Sequence, residues 1–467
     1  MKKLFLIHAL VIILFNNSFS QLPNQATYLL KNLDVAGRSY SACWGYTAPN
    51  GREYALLGFT GGTAFIDITD SANIIEVDVA PGITDPTYRE MKTYSHYAYI
   101  VTEATSTTIP DGLQIVDLQY LPDSVSVITT WNYTGYDHTH SISQSGPYLY
   151  LNGGDVTTGG GGSNGGVAII DITNPIAPIK RGQWSTRYVH DCRVLNDTIW
   201  ACNISNQKVT IIDAVNKDNP QEVRNWDNLP NPSPHNCAIT RDRKYILVTD
   251  ENNDPGKLKV WNIQDLSNIT FVTSWQPTGI TTSIVHNVEI YGDYAVIAHY
   301  TSGIRIVNIS NPTTPMEVAW YDTRPTDNAN SYNGCWGVYK FPSGKIIASD
   351  RANGLFVIKT TFPMTDITNT NEYADSYSLG QNYPNPYNPT TNIKFSLKEN
   401  SLVSLKIFDI QGKEVAEVVN DRRDAGSYEV AFEANRFNIS SGTYFYTLNV
   451  ESGNKSFNET KKMILIK

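Results

Sequence analysis

Between residues 26 and 361 an alternating apolar run recurs seven times, opening on Gly or Lys and usually closing on Asp or Asn. The copies are Gly62–Asp67, Gly112–Asp117, Gly166–Asp171, Lys208–Asp213, Lys257–Asn262, Gly303–Asn308 and Gly354–Lys359. Period-two alternation of this length specifies a strand with at least one face in a core. The copies sit roughly 50 residues apart, near the period of a four-stranded propeller blade.

The sixth copy displays the whole unit. His286-Asn-Val-Glu-Ile is a first strand, Gly292-Asp293 a two-residue turn, Tyr294–His299 a second strand, Ile304–Asn308 the third and Glu317–Tyr321 the fourth. Ser310-Asn-Pro312 turns the chain between the last two, and Asn174-Pro175 and Asn219-Pro220 repeat that device. The seventh copy has no fourth strand after Lys359, whereas Thr27–Val35 is an apolar strand with nothing before it. The economical solution is an all-β, seven-bladed β-propeller in which the N-terminal strand completes blade seven and removes the sheet edges a broken ring would expose.

Composition agrees with many short strands and tight turns: charged residues are 17%, with 32 Gly, 23 Pro and 28 Tyr. A net charge of −9 without a basic stripe excludes a nucleic-acid partner. Residues 1–20 have the pattern of a secretory signal peptide, with Lys2-Lys3, an apolar stretch from Leu4 to Phe15, and Ser18 and Ser20 before Gln21. No later apolar run is long enough for a transmembrane segment, which needs about 20 residues. The propeller is expected over 21–361, a linker over 362–376, and a second unit over 377–467 whose alternating runs, such as Asn392–Leu397 and Val403–Phe408, predict a small β-sandwich of immunoglobulin-like type. Cys43, Cys192, Cys202, Cys237 and Cys335 are too few for a disulfide scaffold. Cys43 and Cys335, and likewise Cys192 and Cys237, occupy like positions on neighbouring blades; Cys202 is expected on the opposite sheet face from Cys192.

The repeated strands resemble the LVIVD-repeat family, in particular the secreted proteins called choice-of-anchor B. That resemblance implies the propeller architecture and no settled reaction. The tail, with Gln381-Asn-Tyr-Pro-Asn-Pro386, Asn388-Pro-Thr-Thr391 and a basic ending at Lys461-Lys462 and Lys467, resembles the type A C-terminal sorting domain of the type IX secretion system. The family more usually has Phe where Tyr387 stands. The resemblance implies the type IX machinery as a partner, export through the periplasm across both membranes, tail removal, and release or attachment at the outer-membrane surface.

Aligning the blades by their first hairpins exposes one repeated position at the start of the innermost strand: Cys43, Arg89, His140, His190, His235, His286 and Cys335. Facing it, at the end of the second strand, are Phe59, Thr102, Gly153, Asn203, Asp250, His299 and Asp350. Both sets are expected to ring one mouth of the central tunnel. His286 and His299, across a two-residue turn, are expected to have Cβ atoms about 4.5–5.5 Å apart. Three readings remain open. His235, Asp250, His286 and His299 suit a divalent metal or a metal-dependent hydrolase or oxidoreductase centre, with Glu103, Asp155 and Glu251 as further oxygen donors or bases. Arg89, His140, His190, Asn203 and Asp350, with Trp44 and Trp336, suit a pocket for a glycan, peptide or small molecule. In the third, the repeated polar groups tie neighbouring loops together by hydrogen bonds. The Gly159–Gly166 run lacks the Lys and helix of a phosphate loop, and Asp250–Asp254 lacks EF-hand spacing.

Overall fold

The computed structural model describes residues 24–83, 88–103, 112–136, 138–154, 165–252, 256–327, 329–364, 367–369, 376–399, 401–423, 426–437, 439–453 and 455–466. The signal-peptide segment, Asp155, most of the Gly159–Gly166 run, Asp254 and most of the linker lie outside them. Seven four-stranded antiparallel sheets form the blades. Their innermost strands are Tyr40–Thr47, Arg89–Tyr94, Ser141–Ser145, Asp191–Leu195, Pro234–Ile239, Val288–Tyr291 and Cys335–Lys340. The N-terminal strand Thr27–Leu33 pairs with Gly354–Thr360 as the fourth strand of blade seven, and Asn24–Gln25 adds a short fifth strand to blade six. One segment near the N-terminus therefore binds two blades and closes the ring.

The repeated motif has a physical explanation at each end. Its leading glycine lies hard against the fourth strand. A Cβ at Gly62 would stand 2.4 Å from the Ala80 carbonyl oxygen, and at Gly354 2.2 Å from that of Leu33 in the N-terminal strand. No side chain fits there. Blades four and five carry Lys instead, and Lys208 Nζ reaches Asp227 at 2.5 Å. The closing Asp or Asn makes the next turn: the Asp67, Asp117, Asp171, Asp213, Asn262 and Asn308 side-chain oxygens each accept the N–H two residues on, at 2.9–3.0 Å. Lys359, in the seventh copy, precedes no such turn, because its fourth strand comes from the other end of the chain.

Between blades the core is apolar. Leu57 and Ile66 of blade one pack with Tyr339, Phe341 and Val357 of blade seven, all under 7% exposed. The second unit is a sandwich of two four-stranded sheets around Ile393, Phe395, Leu405, Tyr446 and Leu448. No helix among the described residues is long and apolar enough to cross a membrane.

Candidate functional site

Register at the tunnel mouth departs from the simple hairpin alignment. In blades two, three and four the innermost strand pairs regularly, so that Arg89 faces Thr102 and Asp191 faces Cys202. Blades one, five and seven carry a bulge here. Tyr40 rather than Cys43 faces Phe59, Pro234 rather than His235 faces Asp250, and the shift in blade seven falls at Trp336, after the Cys335–Asp350 pair. In blade six His286 donates to the Ala298 carbonyl while the Ala298 N–H bonds Asn287, so two residues share one partner. A bulge re-aims the side chains beside it, and the part of the site contributed by blades five to seven is built from that re-aiming.

His140, His190, His235 and His286, one from each of blades three to six, form an arc with successive ring centroids 4.0, 4.2 and 4.3 Å apart. Trp336 of blade seven continues it 4.6 Å from His286, and Tyr88 of blade two lies 5.2 Å from Trp336. Two carboxylates close on the arc. Glu103 Oε1 is 2.5 Å from His140 Nδ1. Glu251 approaches His235 Nε2 at 3.5 Å and His286 Nε2 at 4.0 Å, and it accepts a 2.5 Å hydrogen bond from the Tyr300 hydroxyl. Tyr300 holds a positive φ of 23°, unfavourable for an aromatic residue, with its carbonyl bound by the N–H groups of Gly303 and Cys335.

The protonation states follow from burial. Removal from water pushes His286 and His235 down to about 3, and takes His190, flanked by three other imidazoles, well below its ordinary value. Burial opposes charge on His140 too, but the Glu103 carboxylate outweighs it and holds that pKa above the usual histidine range. His286 Nδ1–H donates to the Trp336 carbonyl at 2.5 Å, which leaves the Nε2 lone pair towards Glu251. At His190 and His235 the arrangement is looser: the next blade's backbone favours the protonated ring, yet neither Nδ1 completes a hydrogen bond.

Two sets of donor atoms lie within 4.8 Å of one another, His140 with His190 and His235, and His235 with Glu251 and His286. Tetrahedral ligands on zinc stand about 3.3 Å apart, so small ring rotations would bring either set onto one ion. Below the arc, Glu90, Lys92, Asp191, Arg193 and Glu289 line an axial cavity of about 30 Å³, large enough to hold water.

The four residues expected to share a metal are not assembled. His235 and His286 meet; Asp250 and His299 do not join them. Asp250 is 2.7 Å from Lys259 Nζ and accepts from Asn228 and the Ser233 N–H, while burial pushes its pKa up to about 6. His299 turns away from His286 because the blade-six bulge breaks their register, and its Nδ1 lies 3.1 Å from Ser283 Oγ. Of the expected pocket residues, His140 and His190 are in the arc. Arg89 is buried, with its guanidinium on the Phe59 and Ile83 carbonyls. Asn203 spans Tyr188 O and Thr210 Oγ1, and Asp350 accepts from Thr323 and the Ala352 and Asn353 N–H groups. These three tie loops together. Tyr88, Tyr300 and Arg351 were missed by the alignment, though each is adjacent to an aligned position: Tyr88 stands one residue before Arg89, and Tyr300 and Arg351 stand one residue after His299 and Asp350, as Glu103 and Glu251 stand after Thr102 and Asp250. All five cysteines are free thiols, buried.

The fold defines an all-β propeller with a separate sandwich, and comparison gives each part a counterpart. Residues 381–467 match the secretion system C-terminal sorting domain, and residues 138–186 and 284–323 match the LVIVD repeat. The chain thus carries LVIVD repeats and a type IX sorting tail, which marks it for export to the cell surface or extracellular space. No curated protein matches it in sequence. Among solved structures it is similar to the periplasmic gluconolactonase of Pseudomonas aeruginosa, at 10% identity and a TM-score of 0.49 over 84% of this chain and 99% of that one. Sqt1 of Chaetomium thermophilum gives 11% identity and a TM-score of 0.49 over 71% and 97%. Similarity at this level carries no argument about chemistry.

Proposed function

We propose that this exported propeller binds an extracellular ligand at the histidine-lined mouth, with a divalent transition metal held by the arc. The observation that carries the reading is the convergence of four imidazoles from consecutive blades, three of which burial keeps uncharged, on two carboxylates. Neutral imidazole with carboxylate is a donor set suited to zinc, manganese, iron or copper. His235 belongs to both donor sets and is the ligand to remove. Elemental analysis of the purified mature chain should find a stoichiometric transition metal, lost in His235→Ala. Absence of metal in both proteins, even after incubation with zinc, manganese and copper, would overturn the metal reading.

A second reading, a metal-dependent hydrolase or oxidoreductase, draws on the Tyr300–Glu251 contact. Glu251 is fixed beside two candidate ligands, where a carboxylate could take a proton from a metal-bound water. Turnover in ester, lactone and phosphoester screens, abolished in Glu251→Gln with metal retained, would support it. Uniform inactivity of the loaded protein would leave binding as the function.

A further inference from the structure

At the blade-seven side of the mouth, two side-chain donors, Arg351 and Trp336, are left short of acceptors. The Arg351 guanidinium lies 5.0 Å over the Trp336 ring and 5.9 Å from that of Tyr88. The guanidinium's hydrogen bond among the described residues is from Nη1 to the Tyr332 carbonyl, at 2.8 Å. Among the described residues no carboxylate is within ion-pair distance of it, a condition it shares with Arg89 and Arg224, which also bond backbone carbonyls, whereas Arg38, Arg52, Arg181, Arg187, Arg193, Arg305 and Arg324 each have one. Trp336 is 7% exposed, and its Nε1–H makes no hydrogen bond. Tyr332, 39% exposed and 5.5 Å from Tyr300, extends the aromatic wall outward.

Resting on the reading of the mouth as a ligand site, we infer that its ligand is an acidic sugar, a uronate whose carboxylate is held by Arg351. A pyranose has a flat face of C–H groups that packs on aromatic rings, and a carboxylate matches the planar fork of a guanidinium. A small inorganic anion would use the charge and leave the rings idle. A neutral glycan would use the rings and leave Arg351 unpaired. His286 touches the same Trp336, so a sugar seated on this wall adjoins the imidazole arc.

The test is calorimetric titration of the mature chain with trigalacturonate and with the same trimer reduced at its carboxyl groups. The acidic trimer should bind, the reduced one at least tenfold more weakly. Arg351→Gln should lose at least tenfold for the acidic trimer alone, and Tyr332→Ala should weaken both trimers. A melting curve matching wild type certifies that each variant is folded. Equal affinity for both trimers, or an unchanged Arg351→Gln, would overturn the assignment. So would absence of trigalacturonate binding while the arc still loads metal, an outcome that leaves the proposed function standing. A peptide with a free C-terminal carboxylate binding more tightly than trigalacturonate would give the site to peptides and also overturn it.

Discussion

His299 offers a stability test that is independent of any ligand. It is 1% exposed, and burial together with Arg305 pushes its pKa down to about 3. The unfolded chain titrates near the ordinary value of about 6.5, so below that pH the unfolded state binds the extra proton and stability falls with acidification. Between a folded value of about 3 and an unfolded value of about 6.5, one imidazole costs the fold about 0.2 kcal/mol at pH 7 and about 2 kcal/mol at pH 5. Glu90 and Asp250 act in the opposite sense, since burial holds them up to about 7 and about 6, so the total pH profile does not isolate the histidine. A difference between variants does. His299→Asn keeps a polar group near Ser283 and removes the titration. Urea unfolding in EDTA should show the variant less stable at pH 7, with the gap to wild type about 2 kcal/mol smaller at pH 5. Parallel profiles across that range would refute a neutral, buried His299.

Four further outcomes are expected. Gly303→Ala places a Cβ 2.4 Å from the Tyr321 carbonyl at a φ of +77°, and should cost about 2 kcal/mol or more by chemical denaturation. Gly279→Ala, at the same φ with open space around it, should cost about 1 kcal/mol. Deleting residues 24–33 removes strands from blades six and seven and should lower the melting temperature and promote association through the exposed edge; an unchanged melting curve would deny the clasp. Deleting residues 381–467 should retain the protein in the periplasm, read by cell fractionation, with cell-surface or medium fractions depleted.

Much of the fold was legible because the repeat reports local constraints. The leading glycine is required by a fourth-strand carbonyl, the closing Asp or Asn by a turn two residues away, and both recur wherever the contact recurs. The unmatched strand at Thr27–Val35 and the missing one after Lys359 pointed to each other by counting alone. The site was half legible. A histidine at the start of four consecutive innermost strands was visible in the alignment, and so was the nearness of Glu103 and Glu251. The pairing of His286 with His299, and of His235 with Asp250, assumed an unbroken ladder, and a one-residue bulge defeats that assumption.

The sequence by itself determined the strands, the blade count and the histidine at four of the seven mouth positions, because alternation, turn chemistry and close glycine contacts act within or between strands of one blade. Which side chains meet across the axis was decided by tertiary structure. His140, His190, His235 and His286 come from four different sheets, and Trp336, Tyr88 and Arg351 from two more. Their convergence depends on ring closure and, in blades five to seven, on bulges that re-aim His235, His286 and Trp336. Hydrophobic periodicity specifies which face of a strand is buried; it carries no record of which neighbour a bulged residue will face.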